Sequence, residues 1–184
     1  MRIDGLSLDF FRNYVHLDAA FDPNINVIYG DNAQGKTNLL EAVAYLSTAS
    51  SHRARYDREL IQFGVDHAFL KGSVFARERT FLLEAELHRG ARRVLRSNSV
   101  KLKNGGELSG IFQSVLFCPE DLYLIREGAA ARRSFLDECI SQLRPRYALA
   151  LAEYKRLHEH KIRILRDSEE KPSLLDALDE FSMS

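Results

Sequence analysis

The sequence lacks the features that would place the chain in a membrane, outside the cell or among zinc-binding domains. No run approaches the ~18–20 apolar residues of a membrane span. The start, MRIDGLSLDFF, lacks the apolar core of a secretion signal. The two cysteines, Cys118 and Cys139, have neither CxxC nor CxH spacing. We therefore expect two reduced thiols in a cytoplasmic protein, with neither a disulfide nor zinc.

Net charge is also absent, because 26 basic side chains balance 26 acidic ones. This balance argues against a uniformly basic nucleic-acid-binding protein. The charge is nevertheless uneven along the chain. Only basic charges occur between His88 and Lys103, whereas acids dominate after Arg166. With 184 residues and 45% hydrophobic content, the chain is long enough for one domain or part of a larger one.

Hydrophobic periodicity predicts an α/β chain. Strands are expected at 2–10, 14–21, 25–29, 68–76, 80–88, 92–103 and 114–119, of which 25–29 and 114–119 are apolar enough to be buried. Helices are expected at 36–46, 130–143 and 146–166, with another after Pro172, and a turn is expected at 104–107. The pattern therefore combines antiparallel hairpins with one strand–turn–helix unit.

That unit contains GDNAQGKT at 30–37, which fits GxxxxGK[ST] at every fixed position. Gly30 lets the chain leave the strand, and Gly35 keeps bulk away so that backbone N–H groups can surround phosphate oxygens. Lys36 neutralises the terminal phosphates, and Thr37 offers a hydroxyl to Mg²⁺. The other residues of the predicted nucleotide-binding set are Asp31, Asn32, Ala33, Gln34 and Asn38. The turn is therefore predicted to bind a triphosphate.

Further motifs follow in a fixed order and give the chain a resemblance to a known family. They are FFRNY at 10–14, GDNAQGKTNLLEAV at 30–43, SHRARYDRELI at 51–61, LFCPEDLYLI at 116–125 and RRSFLDECI at 132–140. In this order they resemble the first half of the RecF family of bacterial DNA replication and repair proteins.

The resemblance implies an architecture similar to the heads of structural-maintenance-of-chromosomes proteins and ABC-type ATPases. Residues 1–128 would form an α/β P-loop lobe, with an antiparallel sheet and part of a parallel core. Residues 129–184 would begin a helical lobe or arm. The family also implies ATP and Mg²⁺ as cofactors, ATP-dependent homodimers on DNA, and weak hydrolysis. Its partners in gap repair would be RecO and RecR, which help to place RecA, and it supports the SOS response.

The resemblance assigns roles to a few further residues. Arg12 and Asn13 match an Arg-Asn pair that lies near the nucleotide in related heads, although a solvated hairpin charge is the alternative for Arg12. Glu120 and Asp121 would contact magnesium through water. Alternatively, they are the acids of a helix start, where they favour the dipole.

The family should continue for a comparable length beyond Ser184, into a signature loop and a second acidic strand. Because an acid must orient the attacking water, we expect a truncated chain that binds nucleotide and hydrolyses it poorly or not at all. No catalytic residue is assigned within it.

Three basic groups are candidates for contact with DNA. The first is the segment 89–103, with Arg89, Arg92, Arg93, Arg96, Lys101 and Lys103, for which an ordinary solvated hairpin is the alternative. The second is SHRAR, with His52, Arg53 and Arg55, and the third is the pair Arg132 and Arg133. No aromatic interleaving resembles a base-stacking platform, so backbone contact without base specificity is expected.

Three other classes remain possible from the residues. A small-molecule kinase or GTPase would need a lid or an NKxD motif, and neither is visible. An ABC transporter subunit would usually carry a glutamine where CPEDL stands. A non-catalytic interaction domain with a vestigial loop is disfavoured by the intact Lys36 and Thr37.

Overall fold

A computed structural model describes residues 1–119 and 128–168 of the chain. The chain divides into two compact units between Pro145 and Arg146. The lobe boundary expected between residues 128 and 129 stays a prediction. Within the described residues, no helix is both long enough and apolar enough to cross a membrane.

Six antiparallel strands form one sheet in the order β2-β1-β3-β4-β5-β6. They are β1 (Arg2–Phe11), β2 (Tyr14–Ala20), β3 (His67–Ala76), β4 (Arg79–His88), β5 (Val94–Ser97) and β6 (Val100–Lys101). The register aligns Leu8 with Leu70, and Leu70 with Ala85. Because side chains alternate across a strand, this register gathers the apolar residues on one face of the sheet. The antiparallel hairpins predicted from alternation are confirmed.

The described helices are α1 (Lys36–Thr48), α2 (Gly105–Ser109), α3 (Ala129–Leu143) and α4 (Pro145–Asp167), with a 3₁₀ turn at Asp57–Glu59. The three long helices agree with the periodicity. Residues 104–107 were expected to form a turn, and instead Gly105 begins α2. The helix expected after Pro172 lies outside the described residues.

The core lies between the apolar face of the sheet and α1. Tyr45 and Leu46 of α1 are fully buried, as are Leu8, Leu70 and Leu83 of the sheet. Burying side chains of this size contributes roughly 1.5–3 kcal/mol each. This packing fixes α1, and therefore the loop that precedes it, against the sheet.

Two expectations about strands are wrong. Residues 25–29 form no strand, and Val27 and Tyr29 are 78% and 90% exposed. Residues 114–118 also form none, and Val115 is fully exposed. An extended apolar segment becomes a buried strand only when a neighbour supplies ladder hydrogen bonds and a covering face. The described residues supply neither to these two segments, and no parallel pairing occurs among them.

Candidate phosphate-binding loop

The loop at residues 30–37 is curled, with left-handed backbone at three of its residues. The φ angles are +145° at Gly30, +65° at Ala33 and +100° at Gly35. Gly35 is the N-cap of α1, and no side chain caps the first amides of that helix. Uncapped N–H groups and the positive end of the helix dipole favour an anion at this point. The loop therefore has the shape that the motif predicts.

The side chain of Lys36 folds back onto the start of this loop. Its Nζ donates to the carbonyl oxygens of Gly30 at 2.8 Å and Asp31 at 2.6 Å. The ammonium group therefore lies across the mouth of the loop, at the end of the turn where phosphate oxygens would enter. Asp31, Asn32, Ala33 and Gln34 are exposed and leave this side of the loop open.

The β1–β2 turn supports the loop from the opposite side. Asn13 donates from Nδ2 to the carbonyl oxygen of Gln34 at 3.2 Å and accepts from Asn38 Nδ2 at 2.8 Å. The Tyr14 hydroxyl donates to the carbonyl oxygen of Gly35 at 3.1 Å. The structure therefore brings Asn13 and Asn38 against the loop, next to the residues with which the sequence grouped them.

Arg12 faces away from the loop and into a buried ion pair. Its guanidinium donates to both oxygens of Glu41, at 2.7 and 2.9 Å, and to the carbonyl oxygen of Glu59 at 3.0 Å. Glu41 lies on α1 and is fully buried. A solvated hairpin charge therefore does not describe Arg12. Sequence reasoning missed Glu41, whose partner is 29 residues away.

Glu41 stays ionised in spite of its burial. Burial alone would raise its pKa, but hydrogen bonds from Arg12 and Ser51 and the charges of Arg12 and Arg53 lower the pKa below its ordinary value. Ser51 Oγ lies 2.5 Å from Glu41 Oε1, and Arg53 Nη1 lies 3.7 Å from Oε2. The α1 helix thus carries a buried negative charge one turn beyond the phosphate loop.

An open groove of about 640 Å³ lies beside the loop. Its lining residues are Arg12, Asn13, Asn38, Arg53, Arg58, Glu59, Ile61, Phe63 and Arg89. Four arginines against one carboxylate make this groove basic. Phe63 is 98% exposed at the groove and offers an apolar ring to a ligand. The groove is therefore suited to an anionic ligand that also carries a flat apolar group.

Of the three residues expected near magnesium, the structure describes only Thr37. Thr37 is exposed at the start of α1, where its hydroxyl is accessible beside the loop. Glu120 and Asp121 lie outside the described residues. Residues 1–119 and 128–168 hold no group of three His, Cys, Asp or Glu side chains placed to bind a metal. A lone hydroxyl fits Mg²⁺ whose remaining ligands are phosphate oxygens and water.

Three arginines of the basic segment are engaged within the molecule. Arg89 donates to the carbonyl oxygens of Val65, Ile61 and Gln62 at 2.7–3.2 Å. Arg93 contacts the Tyr45 hydroxyl, both oxygens of Asp57 and the carbonyl oxygen of Ala49. Arg96 pairs with Glu86 at 3.0 Å. Their contact with DNA stays a prediction, and these internal contacts compete with it.

The remaining candidates lie at the surface. Arg92, Lys101 and Lys103 are exposed, and no described side-chain hydrogen bond or ion pair engages them. Arg53 and Arg55 lie in the segment that follows α1, where Arg53 Nη1 donates to Asn38 Oδ1 at 2.9 Å and the Arg55 guanidinium stacks on Tyr56. His52 Nε2 lies 3.5 Å from Cys118 Sγ. Exposed positions near the start of α3 hold Arg132 and Arg133.

Comparison with known proteins identifies the family to which this fold belongs. Residues 6–180 match the profile of the family described as AAA domain. The DNA replication and repair protein RecF of Agathobacter rectalis is 40% identical over 184 residues, which are 100% of this chain and 51% of that protein. The chain therefore spans about half the length of the curated relatives it matches.

Solved structures show the same relationship. The recombination mediator protein RecF-ATP superposes with a TM-score of 0.87 and 34% identity, over 92% of this chain and 46% of that one. A structure concerned with ATP-driven dimerization of SMC ATPases superposes with a TM-score of 0.59 and 17% identity, over 74% and 98% of the two chains. The second likeness shows the fold alone. The chain belongs to the AAA domain family and is related along its whole length to RecF proteins.

Proposed function

We propose that the chain binds ATP at residues 30–38, with its triphosphate in the curl closed by Lys36. The observation that carries this proposal is the loop itself, in which Gly35 is the N-cap of α1, no side chain caps the helix, and the Lys36 ammonium bonds to the carbonyl oxygens of Gly30 and Asp31. The likeness to the RecF-ATP structure supports adenine over guanine. Thr37 would contribute its hydroxyl to Mg²⁺, which neutralises phosphate charge when it is bound. Asn13 lies against the loop beside the proposed phosphates, and Arg12, whose guanidinium is held by Glu41, would contribute through the turn that it shares with Asn13.

We propose further that the chain acts in DNA replication and repair as part of a RecF-type protein. Curated RecF relatives support this role. The solved RecF-ATP structure is that of a recombination mediator protein in the RecFOR pathway. RecO and RecR as partners, help in loading RecA, support of the SOS response and ATP-dependent homodimers belong to this proposal. A different P-loop protein, such as a transporter subunit or a small-molecule kinase, is the alternative from the sequence.

Turnover of ATP by this chain alone is not expected. No Asp-Glu pair follows four apolar residues in the sequence, and an acid of that kind orients the attacking water in related chemistry. Purified chain should therefore release phosphate from ATP at the background rate. Turnover that disappears in Lys36→Ala would contradict this expectation.

A titration with ATP and GTP, with and without Mg²⁺, tests the binding proposal. Wild-type chain should bind ATP more tightly than GTP, and more tightly with Mg²⁺ than without it. Lys36→Ala should abolish this binding while the thermal unfolding midpoint stays near that of wild type. Absence of ATP binding to folded wild-type chain would overturn the proposal, as would equal affinity in Lys36→Ala.

The proposed contact with DNA is through phosphates, at the exposed basic residues of the segment 89–103. Arg92, Lys101 and Lys103 are the residues of that segment whose side chains the described structure leaves unengaged. Each phosphate contact contributes about 0.9 to the slope of log affinity against log salt concentration for duplex DNA. Charge reversal at these three residues should therefore weaken binding and flatten the slope. Arg79→Glu reverses one exposed charge outside that segment, at the start of β4, and should leave the slope unaltered, whereas each single reversal at Arg92, Lys101 or Lys103 should flatten it.

A further inference from the structure

We propose that Glu41 is a positioning residue of the nucleotide site, whose buried carboxylate holds Arg12 and with it the turn that packs against the phosphate loop. This inference rests on the proposed binding of ATP. Glu41 is fully buried on the core side of α1, four residues before the buried Tyr45. An ionised carboxylate is tolerated in such a place only when neighbours donate to it. Arg12 and Ser51 donate hydrogen bonds to this carboxylate, and the guanidinium of Arg53 lies 3.7 Å from it as a second positive charge.

Two adjacent residues, Arg12 and Asn13, connect the Glu41 carboxylate to the loop. Arg12 makes two parallel hydrogen bonds to Glu41, the strong fork geometry of guanidinium and carboxylate. Its backbone has a φ angle of +54°, in the left-handed region that a residue other than glycine adopts only when its surroundings impose it. The next residue, Asn13, donates to the carbonyl oxygen of Gln34. Loss of the fork would release the turn, and Asn13 would lose its fixed place.

A second path runs through Arg53. Its Nη1 donates to Asn38 Oδ1 at 2.9 Å and lies 3.7 Å from Glu41 Oε2. Asn38 in turn donates to Asn13. One buried carboxylate therefore holds two arginines of the groove wall and, through them, both asparagines beside the loop. Because the two paths meet at Asn13, the side chain of Glu41 affects the nucleotide site without touching it.

A double-mutant cycle of Glu41 and Arg12, measured by ATP affinity, distinguishes a residue that positions the nucleotide site from one that only stabilises the fold. Glutamine at position 41 keeps the shape but turns an amide donor towards the guanidinium. Glu41→Gln should weaken binding of Mg²⁺-ATP by about 10- to 100-fold, the effect of losing one hydrogen bond to a charged group. Arg12→Gln should also weaken it, and the double variant should be no weaker than Glu41→Gln alone, because loss of the carboxylate already interrupts both paths.

The experiment is isothermal titration of Mg²⁺-ATP into the wild-type chain, the two single variants and the double variant. Glu86→Gln is the matched control, since it removes the partner of Arg96 elsewhere on the sheet. The control should bind ATP as wild type does. Unchanged affinity in folded Glu41→Gln would overturn the inference, and so would losses that multiply in the double variant.

If Glu41→Gln does not fold, Arg12→Lys decides, because lysine keeps the positive charge beside Glu41 but cannot make the two parallel hydrogen bonds to the carboxylate. Weaker ATP binding by folded Arg12→Lys supports the inference, and unchanged binding overturns it. Wild-type chain that binds no ATP overturns the proposed function and the inference together. ATP binding that Lys36→Ala abolishes and Glu41→Gln leaves intact overturns the inference alone.

Discussion

The side chain of Asn13 lies directly over Gly35, so that a methyl group added to Gly35 would stand 2.6 Å from the Asn13 amide oxygen. The same glycine has a φ angle of +100°, which side-chain-bearing residues rarely adopt. Contact between the β1–β2 turn and the phosphate loop therefore requires glycine at this position for two separate reasons. The turn and the loop are in direct contact although Asn13 and Gln34, which share a hydrogen bond, are 21 residues apart.

Gly35→Ala should lower the free energy of unfolding by about 1–3 kcal/mol, through backbone strain together with displacement of Asn13. It should also weaken ATP binding. Gly90→Ala is the matched control, because nothing lies within 4 Å of its added methyl group and its φ is not positive. Urea denaturation and ATP titration of both variants measure the effects. Equal stability and equal affinity in the two variants would show that the contact with Asn13 is unimportant.

Arg93 should be a structural residue. Its pKa is raised: burial would lower it, but the Tyr45 hydroxyl and the Asp57 carboxylate outweigh that effect. For Tyr45, burial raises the pKa, so the hydroxyl keeps its proton. That hydroxyl donates to Asp57 Oδ1 at 2.9 Å. Arg93→Ala should therefore lower the free energy of unfolding by about 2 kcal/mol, since it leaves Asp57 and the Ala49 carbonyl oxygen without a charged donor.

Arg92→Ala is the neighbouring control for Arg93→Ala, because Arg92 is exposed. It should change the free energy of unfolding by no more than about 0.5 kcal/mol. Urea denaturation of both variants gives the comparison. If Arg92→Ala proved as destabilising as Arg93→Ala, the ion-pair network would not be the cause.

The parts of the fold that sequence could predict are those set by local spacing. Alternation of apolar residues over 80–88 and helical spacing over 36–46 need no knowledge of distant residues, and both predictions are confirmed. The glycine-rich loop at residues 30–37 could be located for the same reason, since its residues are contiguous, and its binding of phosphate stays a prediction. Long-range partners could not be found. No residue near Glu41 in the sequence indicates that Arg12 is its ion-pair partner, and no residue near Arg93 indicates its contact with Tyr45.

The wrong predictions have a related cause. Residues 25–29 are as apolar and β-branched as a buried strand, and local composition cannot show whether a neighbouring strand exists. The sequence signal available for Glu41 was weaker still. Glu41 stands four residues before Tyr45, on a face of α1 that is mostly apolar. A single acid on such a face can be assigned as a buried charge only when a donor to it is known.

Stability at acid pH should depend on Glu41. The pKa of Glu41 in the folded chain is lowered from the ordinary value of 4.5. The contribution of its ionised carboxylate to the free energy of unfolding is therefore fully present above pH 4.5, and it is lost as the pH falls through the lower pKa of the folded chain. Urea denaturation of wild type and Glu41→Gln at several pH values measures it. The difference in unfolding free energy should be constant above pH 4.5 and should narrow below it. The destabilising neutral variant Val43→Ala should keep a constant difference from wild type throughout, and a Glu41→Gln difference that did the same would contradict the expected ionisation.

Self-association should occur through the exposed apolar segments 25–29 and 114–118. Val27, Tyr29, Val115 and Phe117 are between 71% and 100% exposed, and their backbones have no strand partner among the described residues. Unpaired extended segments of this kind pair with other chains. Val115→Lys should therefore shift the chain towards monomer in sedimentation velocity, while its thermal unfolding midpoint stays unchanged because the side chain is fully exposed. Val100→Lys, at an exposed apolar position in β6, should leave the sedimentation profile as it is in wild type. A wild-type chain that sediments as a clean monomer at high concentration would rule out pairing through these segments.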